Sequence, residues 1–410
     1  MRTRHRPRWL DYVRSVGPGL VAGAADVDPT TVGSMAIIGA TTVFGLSWLT
    51  VLLFPILAVI QVISSRVAIV TGDDLQHLVD RRYGRVAQYS LLGSVLVVVV
   101  ITIAADLEAG AAAIGLLVHG PWRWFVLPLA AAVLALLLIG SYDEVQRVLK
   151  FVLLVLLTYV AAAFVAHPDW RQVVVHTAVP TFRWSKDYID GTLALLGTTL
   201  SSYVYVWQTV ELAEEKPALE WLRPKEADAA VGIFVAVAVF WFILVATGAT
   251  LGVHHLQVNT AADAAAALAP VVGHLAGIVF GVGLLGSALL ALPVLLGTAA
   301  YIVGAQFDWR RGLSKSVRRA PAFYAITAVA TALAVVIAFS GLSPIRVLFI
   351  ASIVGGIGTP IGLMFLMLVA HDRRLMGGER VEGLVSIAGW VVTALVTIVT
   401  VVYLVRLLVA

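Results

Sequence analysis

Two aspartates, Asp26 and Asp28, stand in the middle of an apolar stretch that reads GPGLVAGAADVDPTTVGSMAIIGA. At the centre of a membrane-spanning helix each carboxylate costs about 2.5–3.5 kcal/mol, so a pair demands a compensating partner. Residues two apart point to opposite sides of a regular helix. Pro29 changes that, because it lacks a backbone donor and pushes the residue before it out of the helical region. If the chain unwinds at Asp28-Pro29, both carboxylates and freed backbone carbonyls can face one cavity. Such an oxygen-rich cavity suits a hard divalent cation. A second reading stays open: the aspartates pair with buried donors and only fix helix packing.

A second stretch, LALLGTTLSSYVYVWQ, places Gly197, Thr198, Thr199, Ser201 and Ser202 at the same depth of another apolar run. These residues offer hydroxyls and carbonyls to an ion, or alternatively a small-residue face on which helices approach closely. Asp106 and Glu108 lie inside a third run, ITIAADLEAGAAAIG. They could form a second station on an ion path, a proton relay, or structural hydrogen bonds. Being two apart, at most one is expected to face the main cavity. His254-His255 and the group Glu211, Glu214 and Glu215 fall between apolar runs, where solvated side chains are the ordinary reading.

These candidates sit on elements that composition makes plain. Of the 410 residues, 13% are charged and 60% hydrophobic, too few charges to cover a soluble protein of this length. Eleven runs are apolar and long enough to cross a bilayer, near 16–41, 46–70, 88–115, 121–139, 144–166, 188–212, 228–253, 271–304, 321–340, 344–370 and 383–408. With the N-terminal tail (1–15) inside, 22 of the 28 lysines and arginines fall on the inner side and six on the outer. That bias follows the positive-inside rule and leaves the C-terminus outside. The net charge of +4 is therefore a topology signal, and no nucleic-acid partner is expected. Cysteine is absent, which removes disulfides, thiolate metal sites and thiol nucleophiles. No phosphate-binding loop or serine–histidine–acid set is present, so no enzymatic activity is expected.

The acid–proline break lies in the first run and the glycine–hydroxyl break in the sixth. Interrupted spans at corresponding positions of two halves point to a transporter's binding site. At these residues the chain resembles the natural resistance-associated macrophage protein (NRAMP) family of divalent metal transporters. The resemblance rests on GPGLVAGAADVDP, GTTLSSYVYVWQTVELAEE and GLLGSALLALPVLLGTAAYIVGAQFDWR. It is similar to the branch of NRAMP-related magnesium transporters, which read close to GASDDDPSGI and GTTISPYLFFWQ.

The resemblance implies an all-α LeuT-type fold, with two inverted five-helix repeats (16–166 and 188–370), discontinuous helices 1 and 6, and an added eleventh span (383–408). It implies a metal site in which Asp28 answers to the Asp of the family's DPGN motif and Thr31 to its Asn. Ser201 falls at the family's methionine position, Thr198 at its carbonyl ligand, and Tyr203 and Gln208 at its two histidines. The acidic triplet of the branch holds Val27 at its centre, Ser202 replaces a proline, and Gly355-Gly356 stand where a polar side chain is expected.

The expectation is thus a multi-pass carrier in the cytoplasmic membrane, moving a divalent cation as substrate with no resident cofactor. Asp28 is the principal ligand and Asp26 the second carboxylate. Thr31, Thr198 and Ser201 supply oxygens, and Asp106 and Glu108 mark a possible ion or proton pathway. A hydroxyl in place of a thioether favours Mg²⁺, with Mn²⁺ second, and the missing histidines argue against proton coupling. A proton-coupled Mn²⁺/Fe²⁺ importer and an organic-solute carrier of the same fold are the alternatives. The oligomeric state is left open, a monomer being compatible with everything above.

Overall fold

In lipid every backbone polar group must find its partner inside the protein, and an uninterrupted apolar helix does so alone. The computed structural model describes residues 27–139, 158–215, 222–312 and 317–409, with no strand among them. Seven helices are long and apolar enough to cross a membrane: Ser47–Thr71, Arg85–Val118, Ala230–Gly252, Gly273–Gln306, Pro321–Ala338, Pro344–His371 and Gly383–Val409. They correspond to the second, third and seventh to eleventh expected spans.

The remaining four spans are described in part or as shorter helices. The first is described from residue 27, as α1 (Pro29–Thr42), and the fourth is a shorter apolar helix within Arg123–Ile139. The described part of the fifth is Thr158–Val165. The sixth is divided into α2 (Lys186–Thr199) and α3 (Ser202–Glu215), each of 14 residues. Fourteen residues rise about 21 Å, short of a hydrocarbon core about 30 Å thick. Only end to end do α2 and α3 cross it.

Chain chemistry explains both breaks. Pro29 opens α1 at its first turn, where a missing N–H costs nothing, and Asp28 caps it in an extended conformation with ψ of 166°. In the sixth span the helical bond of Leu200 N–H to the Leu196 carbonyl is the last of α2, and the Ser201 hydroxyl takes the Gly197 carbonyl at 2.6 Å. Side-chain capture of a backbone carbonyl is how serine ends a helix.

Two long helices close around these breaks. Arg85–Val118 (the third span) packs against Gly273–Gln306 and Pro344–His371, and the latter runs along both α1 and α2. Gly197 and Gly355 make that last contact possible. A Cβ on Gly197 would strike the Ser352 carbonyl and the Gly356 backbone, and one on Gly355 would lie 2.7 Å from the Gly197 carbonyl. The pair Gly355-Gly356 is therefore a close helix crossing, which leaves no room for the polar side chain expected there.

Between the second and third spans, the short helix Leu75–Tyr83 lies across the end of the bundle, capped by Asp74, with Leu75, Gln76, Leu78 and Val79 buried. Its Leu75 N–H donates to Thr209 of α3 at 3.2 Å, and Gln76 donates to the Gln88 carbonyl and to Gln306, both at 3.0 Å.

Candidate cation site

Capping α1 aims the Asp28 carboxylate at the break in the sixth span. Oδ1 accepts the Thr31 N–H at 2.7 Å, and Oδ2 accepts the hydroxyl of Tyr203, in the first turn of α3, at 2.8 Å. Thr31 and Thr198 share a hydroxyl–hydroxyl hydrogen bond of 2.9 Å, which ties α1 to the last turn of α2. Asp28, Thr31, Thr198, Ser201 and Tyr203 are all buried. One buried acid and a set of hydroxyls thus converge where two helices begin and one ends.

The α2 terminus adds its own charge. The last four carbonyls of a helix have no intrahelical donor, and they carry the negative end of the helix dipole. Here that end is tied to α1 through the Thr31–Thr198 hydrogen bond, three residues from the Asp28 carboxylate.

Of the sequence-derived candidates, Asp28, Thr31 and Thr198 are brought together in one network. Ser201 lies in the break itself, with its hydroxyl donating to Gly197. Asp26 lies outside the described residues. Asp106 joins from the third span, since its Oδ1 accepts the Thr30 hydroxyl at 2.7 Å. Glu108, fully buried two residues on, has no hydrogen-bond partner for either oxygen among the described residues and does not share that contact. The two acids occupy separate faces, as their spacing predicts. Gln208 turns from the site to Ser65 at 2.6 Å, while His254 and His255 are exposed. Glu211 is exposed as well, and Glu214 accepts the Tyr301 hydroxyl at 2.8 Å.

Sequence reasoning missed four participants. Tyr203 counts in the sequence only as a missing histidine, yet its phenol holds Asp28. Thr30 is not singled out in the sequence, yet it links the break to Asp106. Ser34 and Ser352 meet at 2.6 Å beneath the site and join α1 to Pro344–His371. Hydroxyls inside an apolar run were the available signal, since a buried hydroxyl requires a partner.

A further polar group lies away from this network. His77 Nδ1 is 3.1 Å from Asp73 Oδ1, and Arg311 donates to Asp74 Oδ2 at 2.6 Å. The hydrogen bond to Asp73 and the second carboxylate of Asp74 push His77 up to about 9 despite burial. Burial opposes ionisation of Asp73, but the His77 hydrogen bond and charge hold it below the ordinary value. Those carboxylates favour the protonated ring, and Asp74 lies between it and the Arg311 guanidinium, a nitrogen of which is 3.0 Å from Nδ1. Arg82 pairs with Asp372 on the same short helix's other flank.

Comparison with known proteins follows the same lines. The chain is 29% identical over 423 residues to the divalent metal cation transporter MntH of Ralstonia nicotianae, covering 96% of this chain and 90% of that protein. It is 25% identical over 409 residues to the MntH of Mycobacterium tuberculosis, covering 94% and 90%. Among solved structures, the Eremococcus coleocola manganese transporter superposes with a TM-score of 0.76 at 17% identity, over 96% of this chain and 86% of that one. Mhp1, a nucleobase-cation-symport-1 family transporter, superposes at 0.61 with 12% identity, over 96% and 92%. At such identities the structures establish the fold alone, and that fold is the LeuT type. The sequence profile described as natural resistance-associated macrophage protein-like matches residues 19–406, and the chain belongs to that family.

Proposed function

We propose that this protein carries divalent metal cations across the cytoplasmic membrane by alternating access at the paired helix breaks. One observation carries the reading: the buried Asp28 carboxylate caps α1 at the break in the sixth span, where the Thr31 and Thr198 hydroxyls join α1 to the last turn of α2. The carboxylate disfavours an anionic substrate, and the carboxylate and hydroxyl oxygens are donors that a divalent cation takes. The MntH relatives, named as divalent metal cation transporters, support the same class.

In this reading Asp28 is the principal ligand and Asp26 the second carboxylate, direct or through water. Thr31, Thr198 and Ser201 add oxygens. A donor set of hard oxygens favours Mg²⁺ first and Mn²⁺ second, and magnesium's reluctance to shed water suits a site that keeps part of the hydration shell. The repeats 16–166 and 188–370 move against each other, with 383–408 outside them. The N-terminus lies inside, the C-terminus outside, and transport is not coupled to protons.

A metal panel in proteoliposomes (Mg²⁺, Mn²⁺, Ca²⁺, Cd²⁺) tests this directly, with Asp28→Ala alongside. The variant should reach the membrane normally, because removing a carboxylate eases insertion. Its uptake should fall roughly ten-fold or more, the usual consequence of losing an interaction to a buried charge. Uptake above about half of the parent rate at matched expression would rule Asp28 out as main ligand.

A further inference from the structure

The second oxygen of Asp28 accepts the Tyr203 hydroxyl, and a cation that approaches along that lone pair displaces the phenol. Oδ1 is engaged by the Thr31 N–H as part of the α1 cap, so Oδ2 is the oxygen that can turn toward a load. The partner on Oδ2 is a phenol whose donor, unlike a water, is fixed to α3 in position and in direction. Residue 203 begins α3 while residue 28 begins α1, so this one hydrogen bond spans the two broken helices across 175 positions of sequence. Tyr203 is itself buried, so water does not readily replace its hydroxyl.

A carrier that moves its substrate down a gradient must make two journeys, one with the cation and one without. On the return journey the buried carboxylate keeps its charge and loses its counter-ion, the arrangement that membranes tolerate least. Many carriers meet this with a second ion. Here the protein provides a fixed donor at the right oxygen.

We infer that Tyr203 is a positioning residue that takes the place of the cation on Asp28 during the return journey, letting the carrier reorient unloaded. The inference rests on the reading of Asp28 as the cation ligand. Tyr203 does not ligate the metal. It withdraws when a cation binds Oδ2 and returns when the cation leaves. Two effects follow from one hydrogen bond. Competition with Tyr203 weakens apparent cation affinity, and relief of the unpaired charge speeds the unloaded return.

Separating those effects requires net flux and exchange to be measured on the same protein. In proteoliposomes with Mn²⁺ as probe, net uptake into metal-free vesicles needs the unloaded return. Exchange of labelled for unlabelled Mn²⁺ across equal concentrations does not. Tyr203→Phe removes the donor while keeping the ring. Net uptake by Tyr203→Phe should fall roughly ten-fold, the scale of a hydrogen bond to a charge, with the exchange rate within about two-fold of the parent and a lower KM for exchange. Equal loss of both fluxes would mark a merely structural tyrosine and overturn the inference, and so would unchanged net uptake.

If Tyr203→Phe does not fold, 3-fluorotyrosine at position 203 preserves shape while strengthening the donor. It should raise the KM for exchange and leave net uptake at saturating Mn²⁺ intact, and an unchanged KM would overturn the inference. Asp28→Ala, measured in parallel, should abolish both fluxes. Should Asp28→Ala still exchange Mn²⁺, the underlying assignment of the ligand fails, whatever Tyr203 does.

Discussion

Ser201 shows how much a single side chain can decide at the metal site. Its hydroxyl is buried in the sixth-span break, and a Cβ on Gly355 would come within 2.9 Å of it, so the position is bounded on one side by backbone. A methionine there would bring a polarizable thioether, a good ligand for Cd²⁺ and a poor one for Mg²⁺. It would also narrow the space for a partly hydrated magnesium ion. Ser201→Met should therefore raise the Cd²⁺/Mg²⁺ transport ratio, by roughly ten-fold if one good ligand is gained. Thr199→Met, whose hydroxyl bonds back to the Leu195 carbonyl within α2, serves as control. An active Ser201→Met protein with an unchanged ratio would remove Ser201 from the site. Legibility at this scale was uneven for a physical reason. Asp28 announces itself, because a charge in an apolar run demands a partner, whether an ion or a buried donor. Tyr203 does not, because a tyrosine among valines looks like packing until the fold brings it to residue 28.

At the scale of elements, the acid–proline pair and the glycine–hydroxyl cluster located both breaks to within a few residues. What they could not reveal was how neighbours close around them. Gly355-Gly356 reads in sequence as a lost ligand, whereas the crossing of Pro344–His371 over α2 needs both residues small. The short helix Leu75–Tyr83 was equally hidden, since its partner Arg311 lies 237 positions from Asp74. That helix holds α3 through Thr209 and the end of the eighth span through Gln306 and Arg311, so it must shift whenever α3 does. Its charges set a pH window. Holding His77 up to about 9, above an ordinary 6.5, contributes stability that is complete below about 6.5 and lost as pH rises through about 9. Lowering Asp73 below 3.8 contributes stability that is present above that value and lost as pH falls through the depressed value. The latch should be tightest between these limits. Melting of the purified protein should decline from pH 7 to pH 10, and His77→Gln should flatten that decline. Because the chain has no cysteine, Thr209→Cys supplies a single thiol at the latch. Its labelling should rise several-fold when Arg311→Ala is added, and equal labelling would dissociate the latch from α3.

Across the whole molecule, the question is whether a second ion travels with the metal. The network reaches a second acid, since Thr30 bonds both the chain of α1 and Asp106 in the third span. That link supports a proton-coupled reading, in which Asp106 exchanges a proton as Asp28 exchanges a cation. Against it stands the sixth span. By the resemblance, Tyr203 and Gln208 stand where the family pattern has two imidazoles, and a phenol and an amide do not replace an imidazole as proton carriers. Gln208 is bound to Ser65 instead of to an acid. A route for protons would then have to run from Asp106 toward Glu108, yet the two acids sit on different faces of one helix and Glu108 finds no hydrogen-bond partner among the described residues. Metal uptake should therefore proceed without acidifying the vesicle interior, as read by an enclosed pH dye during Mn²⁺ uptake. Asp106→Asn should leave the dye signal flat and change only the uptake rate, because it alters a hydrogen bond to Thr30 and nothing that carries protons. A metal-dependent acidification that Asp28→Ala and Asp106→Asn both abolish would reverse this conclusion and assign Asp106 the proton.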